Sequence, residues 1–492
     1  MTWDLTKGVP YKHQEQIVSE YGSREFFGLF AEQGTGKTFT LLAVAEKLRR
    51  EQGCQGVLIL APNGVHANWI MKEIPEHCIT EPRITGLWSS TGGVRVRRKL
   101  NQALTAPHEQ FVFVSFNIEA VRSTEGYMAM LAFLKSRKVL MVVDESTVIK
   151  SHRAQQTKAA LKLAPWACWR WILTGTPIEQ SPLDLYTQCS FLHPEATGHR
   201  TFTSFKAEYA IEQEMVYGPR RFRKVIGFRN LEQLRAVLGR FTLRVTKEEC
   251  LDLPPKTYVT EVVEMTGEQK RLYSAMKETF LMRLNGGVYS TAQNALTAML
   301  RLQQLLSGFV SLDDGTIRVV ENNRINQLLA LVDRHKDKKI VIWCAFREDV
   351  KAIFHALNKN SDWYEPGAYP LTYFGEDDSE SRVENVDRFQ KDHKSKWLIC
   401  TSAAARGITL TASCLAIYYS RNFKLGDRLQ SEDRIHRIGQ EKKTTFIDLV
   451  VPNTVDDRTL QRLKDKKQLA DAVIDFNDIR ALVEDAEDDI PM

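Results

Sequence analysis

The sequence predicts an α/β protein of two lobes, each a parallel sheet flanked by helices, with helical insertions between them. Three observations carry this reading. Short β-branched and aromatic runs alternate with longer helical stretches, the pattern that yields parallel sheets. Those runs are continuously apolar rather than alternating, as strands covered by helices on both faces are. They also fall in two separate series, which calls for two sheets.

The first series consists of Phe26–Phe30, Val57–Leu60, Phe111–Val114, Val139–Val143 and Trp171–Leu173. The second consists of Lys339–Cys344, Trp397–Thr401, Leu415–Tyr419 and Thr444–Val450. Between them, from about Leu185 to Asn326, the pattern is mostly helical. It is interrupted at Leu253-Pro254-Pro255-Lys256, where the residue before each proline is pushed out of helical geometry. The lobe boundary is placed there. The expected organisation is an N-terminal lobe over residues 1–250, with a helical insertion at about 185–250, and a C-terminal lobe over 251–470, with a helical insertion at about 265–325. A segment 471–492 follows, whose Glu484-Asp485-Ala486-Glu487-Asp488-Asp489 run reads as a solvated acidic tail. Trp166, Trp169 and Trp171 surround an apolar strand and read as lobe packing.

Composition bounds the function classes. A chain of 492 residues has room for about three domains. With 43% hydrophobic and 26% charged residues it is an ordinary globular composition. A net charge of +6 permits nucleic-acid binding without demonstrating it. The eight cysteines contain no Cys-x-x-Cys pair, which argues against zinc knuckles and a disulfide framework and fits a reducing compartment. The stretch MTWDLTKGVPYKHQ has no apolar core of a signal peptide, and runs such as Val139–Val143 and Ile340–Ala345 are far too short to span a bilayer. The expected setting is the cytoplasm, with a nuclear one left open as the less favoured reading, and no membrane partner.

The first chemical motif is Ala31-Glu32-Gln33-Gly34-Thr35-Gly36-Lys37-Thr38, between the strand Phe26–Phe30 and an apolar helix Phe39–Leu48. Gly34 and Gly36 let backbone N–H groups of the loop, Thr35 included, wrap a phosphate, and the helix N-terminus adds its positive dipole end. Lys37 can reach the β- and γ-phosphates and the Thr38 hydroxyl can ligate Mg²⁺. Ala31 stands where the strict P-loop has glycine. The second motif, Val142-Val143-Asp144-Glu145, ends an apolar strand, where open α/β sheets bind ligands. Asp144 can hold Mg²⁺ through water and Glu145 is placed to polarise the attacking water, which together with the loop indicates a nucleotide hydrolase using ATP and Mg²⁺. The third is Gln430-Ser431-Glu432-Asp433-Arg434-Ile435-His436-Arg437-Ile438-Gly439-Gln440. Arg434 and Arg437 are three apart, which on a helix puts them on one face. They fit arginine fingers directed at a γ-phosphate, and on spacing alone they fit a solvated basic helix equally well.

The order and wording of these motifs resemble superfamily-two helicases, in particular the Swi/Snf-type branch of double-stranded DNA translocases. Leu173-Thr174-Gly175-Thr176-Pro177-Ile178-Glu179, Leu60-Ala61-Pro62-Asn63 with Asn68-Trp69, Leu243-Arg244 with Leu253-Pro254-Pro255-Lys256, and the Arg434–Gln440 stretch are each similar to a segment of that branch. The resemblance runs from about Tyr11 to Thr454. It implies two RecA-like lobes, catalytic roles for Lys37, Asp144, Glu145, Arg434 and Arg437, and an adenine contact from Gln14. It further implies nucleic-acid contacts from Asn63, Ser115, Thr176, Ser402 and Thr409. There are departures. Asp144-Glu145-Ser146-Thr147 replaces a DEAH-type ending, so that Ser146 stands at the histidine. Thr401–Thr411, with its Ala405-Arg406-Gly407-Ile408, is worded more like RNA helicases.

Two basic clusters lie outside the motifs: Arg95-Val96-Arg97-Arg98-Lys99, and Arg220-Arg221-Phe222-Arg223-Lys224 after the turn signal Tyr217-Gly218-Pro219, which fits the tip of a hairpin. Either could grip a phosphate backbone, and either could be a solvated face. The leading expectation is an ATP-dependent translocase or helicase acting as a monomer on duplex or branched DNA. An RNA-dependent unwinding enzyme and a nucleotide-gated DNA-binding scaffold with little turnover are the alternatives. No chromatin reader, zinc module or nuclease is recognisable, a layout expected of a bacterial or phage protein; protein partners are not indicated.

Overall fold

A computed structural model of the chain describes residues 3–63, 65–81, 83–217, 220–250, 253–285, 292–312, 314–364, 366–401 and 408–474. Ser402 with Ala403–Gly407, the Gly218-Pro219 turn and the acidic run 484–489 lie outside these residues. The chain divides into two compact units: Met1–Val216 with Arg221–Asp252 and Lys466–Met492, and Tyr217–Arg220 with Leu253–Asp465.

The first unit is built on strands β1 (Phe26–Ala31), β2 (Gly56–Ala61), β3 (Arg83–Leu87), β4 (Phe111–Asn117), β5 (Val139–Asp144) and β6 (Trp169–Leu173). A last strand, β9 (Thr242–Val245), completes it, and the hairpin β7 (Ala210–Tyr217) and β8 (Arg220–Phe228), which precedes β9 in the chain, belongs to it except at Tyr217 and Arg220. The seven-stranded sheet runs β3-β4-β2-β5-β6-β1-β9, and every pairing in it is parallel. Alternate residues of each central strand enter opposite cores. Leu58, Leu60, Met141 and Val143 pack on one face, while Val57, Ile59, Leu140 and Val142 pack on the other. That is why these strands read as unbroken apolar runs.

The second unit contains β10 (Lys256–Val262), a small antiparallel pair β11 (Phe309–Ser311) and β12 (Ile317–Val319), then β13 (Ile340–Cys344), β14 (Tyr369–Tyr373), β15 (Ser395–Thr401), β16 (Leu415–Tyr418) and β17 (Thr444–Val450). Its six-stranded sheet runs β10-β17-β16-β13-β15-β14, again wholly parallel. Ile340, Ile342 and Cys344 face one core and Val341 and Trp343 the other.

All nine strands expected from the sequence are present. Those it did not reveal in the large sheets are β3, β9, β10 and β14, the outermost strand on each side of the two sheets. The stretch after Leu185 carries helices Leu185–Leu192, Phe202–Tyr209 and Leu231–Leu238, and with them the β7–β8 hairpin. Trp169 and Trp171 are buried as expected, but Trp166 is 48% exposed. The Lys135 ammonium lies 4.2 Å from the centre of its ring, a surface cation–π contact rather than lobe packing. All eight cysteines are free thiols. Among the described residues no helix is long and apolar enough to cross a membrane.

Candidate active site

The chain leaves β1 at Ala31 and re-enters helix at Lys37, turning through Gly34 and Gly36 at φ 88° and 84°. Both angles lie where a Cβ clashes with the backbone. At Gly36 a Cβ would also fall 1.9 Å from Gln14 Nε2. Glycine here serves the turn and the close approach of a neighbouring side chain at once. Gln14, buried on helix Lys12–Tyr21, accepts a hydrogen bond from the Tyr11 N–H (2.9 Å) and donates to the Thr35 carbonyl (3.2 Å). The loop is further knitted by the Thr35 hydroxyl on the Glu32 carbonyl (2.8 Å) and the Thr40 hydroxyl on the Gly36 carbonyl (3.1 Å). Lys37 Nζ donates to the carbonyls of Ala31 (2.8 Å) and Glu32 (3.3 Å), and Thr38 sits half-buried in the first helical turn.

Asp144 ends β5 and Glu145 follows it at φ 51°, ψ 61°, a left-handed backbone uncommon for a non-glycine residue. Asp144 is buried, and Trp69 Nε1–H donates to its Oδ2 at 2.9 Å. Burial, and then the charge of Glu145, push its carboxyl up to about 6; the Trp69 bond, the Lys37 ammonium and the Glu145 N–H pull the other way. Glu145 is held from two sides, by Gln33 Nε2–H on Oε1 (3.1 Å) and by the Thr174 hydroxyl on Oε2 (3.3 Å). Thr174 in turn accepts the Thr176 N–H at 3.1 Å. A Cβ at Gly175 would lie 3.3 Å from the Ala31 oxygen, the Gln33 nitrogen and the Glu32 Cα, so a side chain there would crowd the phosphate loop.

The site therefore recruits residues to which the motifs assign no role here. Gln33 and Thr174 orient Glu145. Trp69 orients Asp144 from a short π-helix, Trp69–Glu73, an uncommon geometry that recurs at functional sites. Ser146, at the position of the missing histidine, is fully buried and its hydroxyl donates to Gln188 Oε1 at 2.6 Å. The Gln188 amide nitrogen then donates to the carbonyls of Pro177 and Asp184, both at 2.8 Å. The acidic motif and the Thr174–Glu179 segment are thus joined through a glutamine from helix Leu185–Leu192. Nothing in the local sequence around Ser146 points to it.

In the second unit the expectation of Arg434 and Arg437 on one helical face is corrected. The helix Leu425–Ile435 stops before Arg437, closed by the His436 N–H on the Glu432 carbonyl (2.9 Å) and followed by a turn through Gly439 at φ 92°. The two arginines nonetheless converge on one segment. Arg434 Nη1 donates to the Ile408 carbonyl at 3.4 Å, and Arg437 Nη1 to the Thr409 hydroxyl at 3.0 Å. A buried charge network fixes the helix that carries Arg434. Arg428 donates to Asp448 (2.6 Å) and to Glu432 (2.8 Å); Glu432 also receives Tyr258 OH (2.7 Å) and Lys256 Nζ (3.2 Å) from β10. His436 Nε2 lies 2.8 Å from the Pro254 carbonyl. The Pro254–Tyr258 segment is thereby tied to the arginine helix at three residues.

Of the residues matched to nucleic-acid contacts, Asn63 is exposed just past the end of β2, Thr176 is half-buried just past β6, and Thr409 is half-buried under Arg437. Ser115 is placed otherwise. It is fully buried in β4 and its hydroxyl donates to the His66 carbonyl at 2.8 Å. It braces the segment after β2 and presents nothing to a surface. Trp69, in the Asn68-Trp69 pair that is similar to a segment of the Swi/Snf-type branch, is likewise interior. The helix Val94–Leu104 lays Leu100 and Ala103 on the core and leaves Arg95, Arg97, Arg98 and Lys99 exposed.

The donor set suits a nucleotide phosphate with a hard cation. It offers a glycine-turned loop leading into a helix N-terminus, a lysine, a threonine hydroxyl, and a buried carboxylate whose charged form gains from a nearby cation. Among the described residues no three His, Cys, Asp or Glu side chains cluster to hold a metal by themselves. Phosphate oxygens and water would supply its remaining ligands, as Mg²⁺ sites commonly arrange.

Comparison with known proteins places these features in a family. An SNF2-related domain matches residues 24–308, and a helicase conserved C-terminal domain matches residues 323–439. An uncharacterized ATP-dependent helicase of Mycoplasma genitalium is 25% identical over 455 residues, covering 90% of this chain and 40% of the relative. The DNA annealing helicase and endonuclease ZRANB3 of Mus musculus is 24% identical over 466 residues, covering 93% and 40%. The chain thus spans about 40% of the length of these curated relatives. Among solved structures, the Sulfolobus solfataricus SWI2/SNF2 ATPase core in complex with dsDNA aligns with a TM-score of 0.42 at 22% identity, covering 96% of this chain and 94% of that one.

Proposed function

Because the chain belongs to the SNF2-related family, we propose that it is an ATP-dependent translocase that moves along, or remodels, duplex or branched DNA. The observation that carries the reading is the hydrogen-bonded assembly of the phosphate loop, Asp144, Glu145 and Thr174 in one site. Glu145, oriented by Gln33 and Thr174, is the group that positions and deprotonates the attacking water. Lys37 and the loop N–H groups bind the phosphates, with Gln14 beside them for the adenine. Thr38 and Asp144 would hold Mg²⁺, which would neutralise charge on the phosphates. Arg434 and Arg437 supply positive charge to the γ-phosphate. The Thr174–Thr176 segment is the natural relay, since it touches Glu145 at one end and carries a half-buried threonine matched to DNA at the other.

The test is steady-state ATPase activity with blunt duplex, forked DNA, single-stranded DNA and single-stranded RNA as cofactors. Stimulation by the duplex and forked substrates is expected, and stimulation by RNA alone would overturn the DNA reading. Glu145→Gln should lower turnover by at least about a hundredfold while ATP still binds, general-base contributions running from about 10²- to 10⁴-fold. Biological activity that survived this change would make the protein a scaffold instead.

A further inference from the structure

The β7–β8 hairpin has no part in the nucleotide site, and its construction is unusual for this molecule. Its base is anchored. The Arg229 N–H bonds the Tyr209 carbonyl at 3.0 Å, the Arg229 guanidinium reaches the Ala207 carbonyl at 2.6 Å, and Asn230 Nδ2 donates to Glu208 Oε1 at 2.9 Å. Phe205 and Tyr209 on one side, and Leu234 and Leu238 on the other, root it in the core of the first unit. Beyond that base the ribbon is exposed. Met215, Val216, Phe222 and Ile226 are 37%, 66%, 51% and 56% exposed. A two-stranded ribbon that buries no apolar face is marginal in water. Its survival as a bare surface element is explained if something covers it in use.

The charge pattern identifies the covering chemistry. Four of the first five residues of β8 are basic: Arg220, Arg221, Arg223 and Lys224. The acids of β7 do not cancel them, since Glu212 is taken by Lys206 and, among the described residues, Glu214 reaches only Arg221, at 3.9 Å between exposed groups. Charged residues often protect a free strand edge from pairing with another chain. That role would be served by charges anywhere on either strand, whereas here they crowd the turn end of one strand, immediately before and after an exposed phenylalanine in the chain. Arginine and lysine beside an exposed phenylalanine match phosphates next to an unstacked base.

We propose that the hairpin is a DNA-gripping arm, with Arg221, Arg223 and Lys224 on backbone phosphates and Phe222 against an unpaired base at a branch. This deepens the translocase reading and rests on it. The experiment measures binding of the full chain to blunt and forked DNA by fluorescence anisotropy across a salt series, with DNA-free ATPase as a check on folding. For the Arg221→Ala/Arg223→Ala/Lys224→Ala variant, the slope of log affinity against log salt should flatten by roughly 0.9 for each phosphate no longer neutralised. The variant with Arg221→Lys and Arg223→Lys should keep the wild-type slope. Phe222→Ala should weaken forked DNA about five- to a hundredfold while leaving blunt duplex unchanged. A triple-alanine variant with the wild-type slope, or a Phe222→Ala loss equal on both substrates, overturns the arm. Wild-type protein whose binding shows no salt dependence and whose ATPase ignores DNA overturns the translocase reading instead.

Discussion

Asp144 must hold a negative charge where burial disfavours one, and Trp69 is the neutral side chain that helps it do so. With its carboxyl pushed up to about 6, Asp144 is protonated below that pH and ionised above it. At low Mg²⁺ the kcat/KM for ATP should therefore fall with an apparent pKa near 6, and higher Mg²⁺ should move that limb downward, because cation and proton compete for one carboxylate. Trp69→Phe removes the indole donor. Losing a hydrogen bond to a charged group costs about 1.5–3 kcal/mol, so the acid limb should move up by about one pH unit or more. Activity should recover at pH 8.5; a variant equally impaired across the whole range would make Trp69 a packing residue only. None of this was visible in the motif that contains Trp69, because the indole reaches a carboxylate 75 positions away.

At the scale of elements, the helix Leu425–Ile435 is held by charges rather than by an apolar stripe. Glu432 is fully buried. Burial raises its carboxyl, but Lys256, Arg428 and the Tyr258 hydroxyl outweigh that and bring it down to about 2. Its folded-state pKa lies below its ordinary value of 4.5, so it stabilises the second unit above about pH 4.5 and that contribution is lost as pH falls toward 2. Acid unfolding followed by fluorescence of the buried Trp343 and Trp397 should show this limb, and Glu432→Gln should flatten it. An unchanged acid transition would remove Glu432 from the anchor. The tie between this helix and the Pro254–Tyr258 segment also explains why β10 escaped the sequence pattern. It is an edge strand with several exposed residues, so it carries no continuous apolar run; β3, β9 and β14 are edges too, with residues only partly buried where the central strands are fully enclosed. β14 even contains Pro370, which an edge strand tolerates and a central one does not.

For the whole molecule, the two units carry separate cores on either face of separate sheets, and the phosphate loop belongs to the first. A ligand that binds only folded protein at about a hundred times its Kd adds about 2.7 kcal/mol. For a unit of this size that corresponds to an upward shift of roughly 5–10 °C in Tm. ATP with Mg²⁺ should produce such a shift in the unfolding transition of the first unit, monitored by calorimetry, and Lys37→Ala should abolish it. An identical shift in the variant would place the nucleotide elsewhere.

What the amino-acid sequence determined by itself was the central architecture and the local motifs. Strands buried on both faces must be continuously apolar, and a phosphate loop must have glycine where φ is positive, so both are written in consecutive residues. What only the tertiary structure decided were the partners: Trp69 for Asp144, Gln33 and Thr174 for Glu145, Gln188 for Ser146, and the β10 residues for Glu432. It also moved Ser115 from an expected surface to the interior and ended a helix before Arg437. These are relations between side chains distant in the chain, set by how strands are ordered in the sheet and where each helix stops. No periodicity or spacing encodes them.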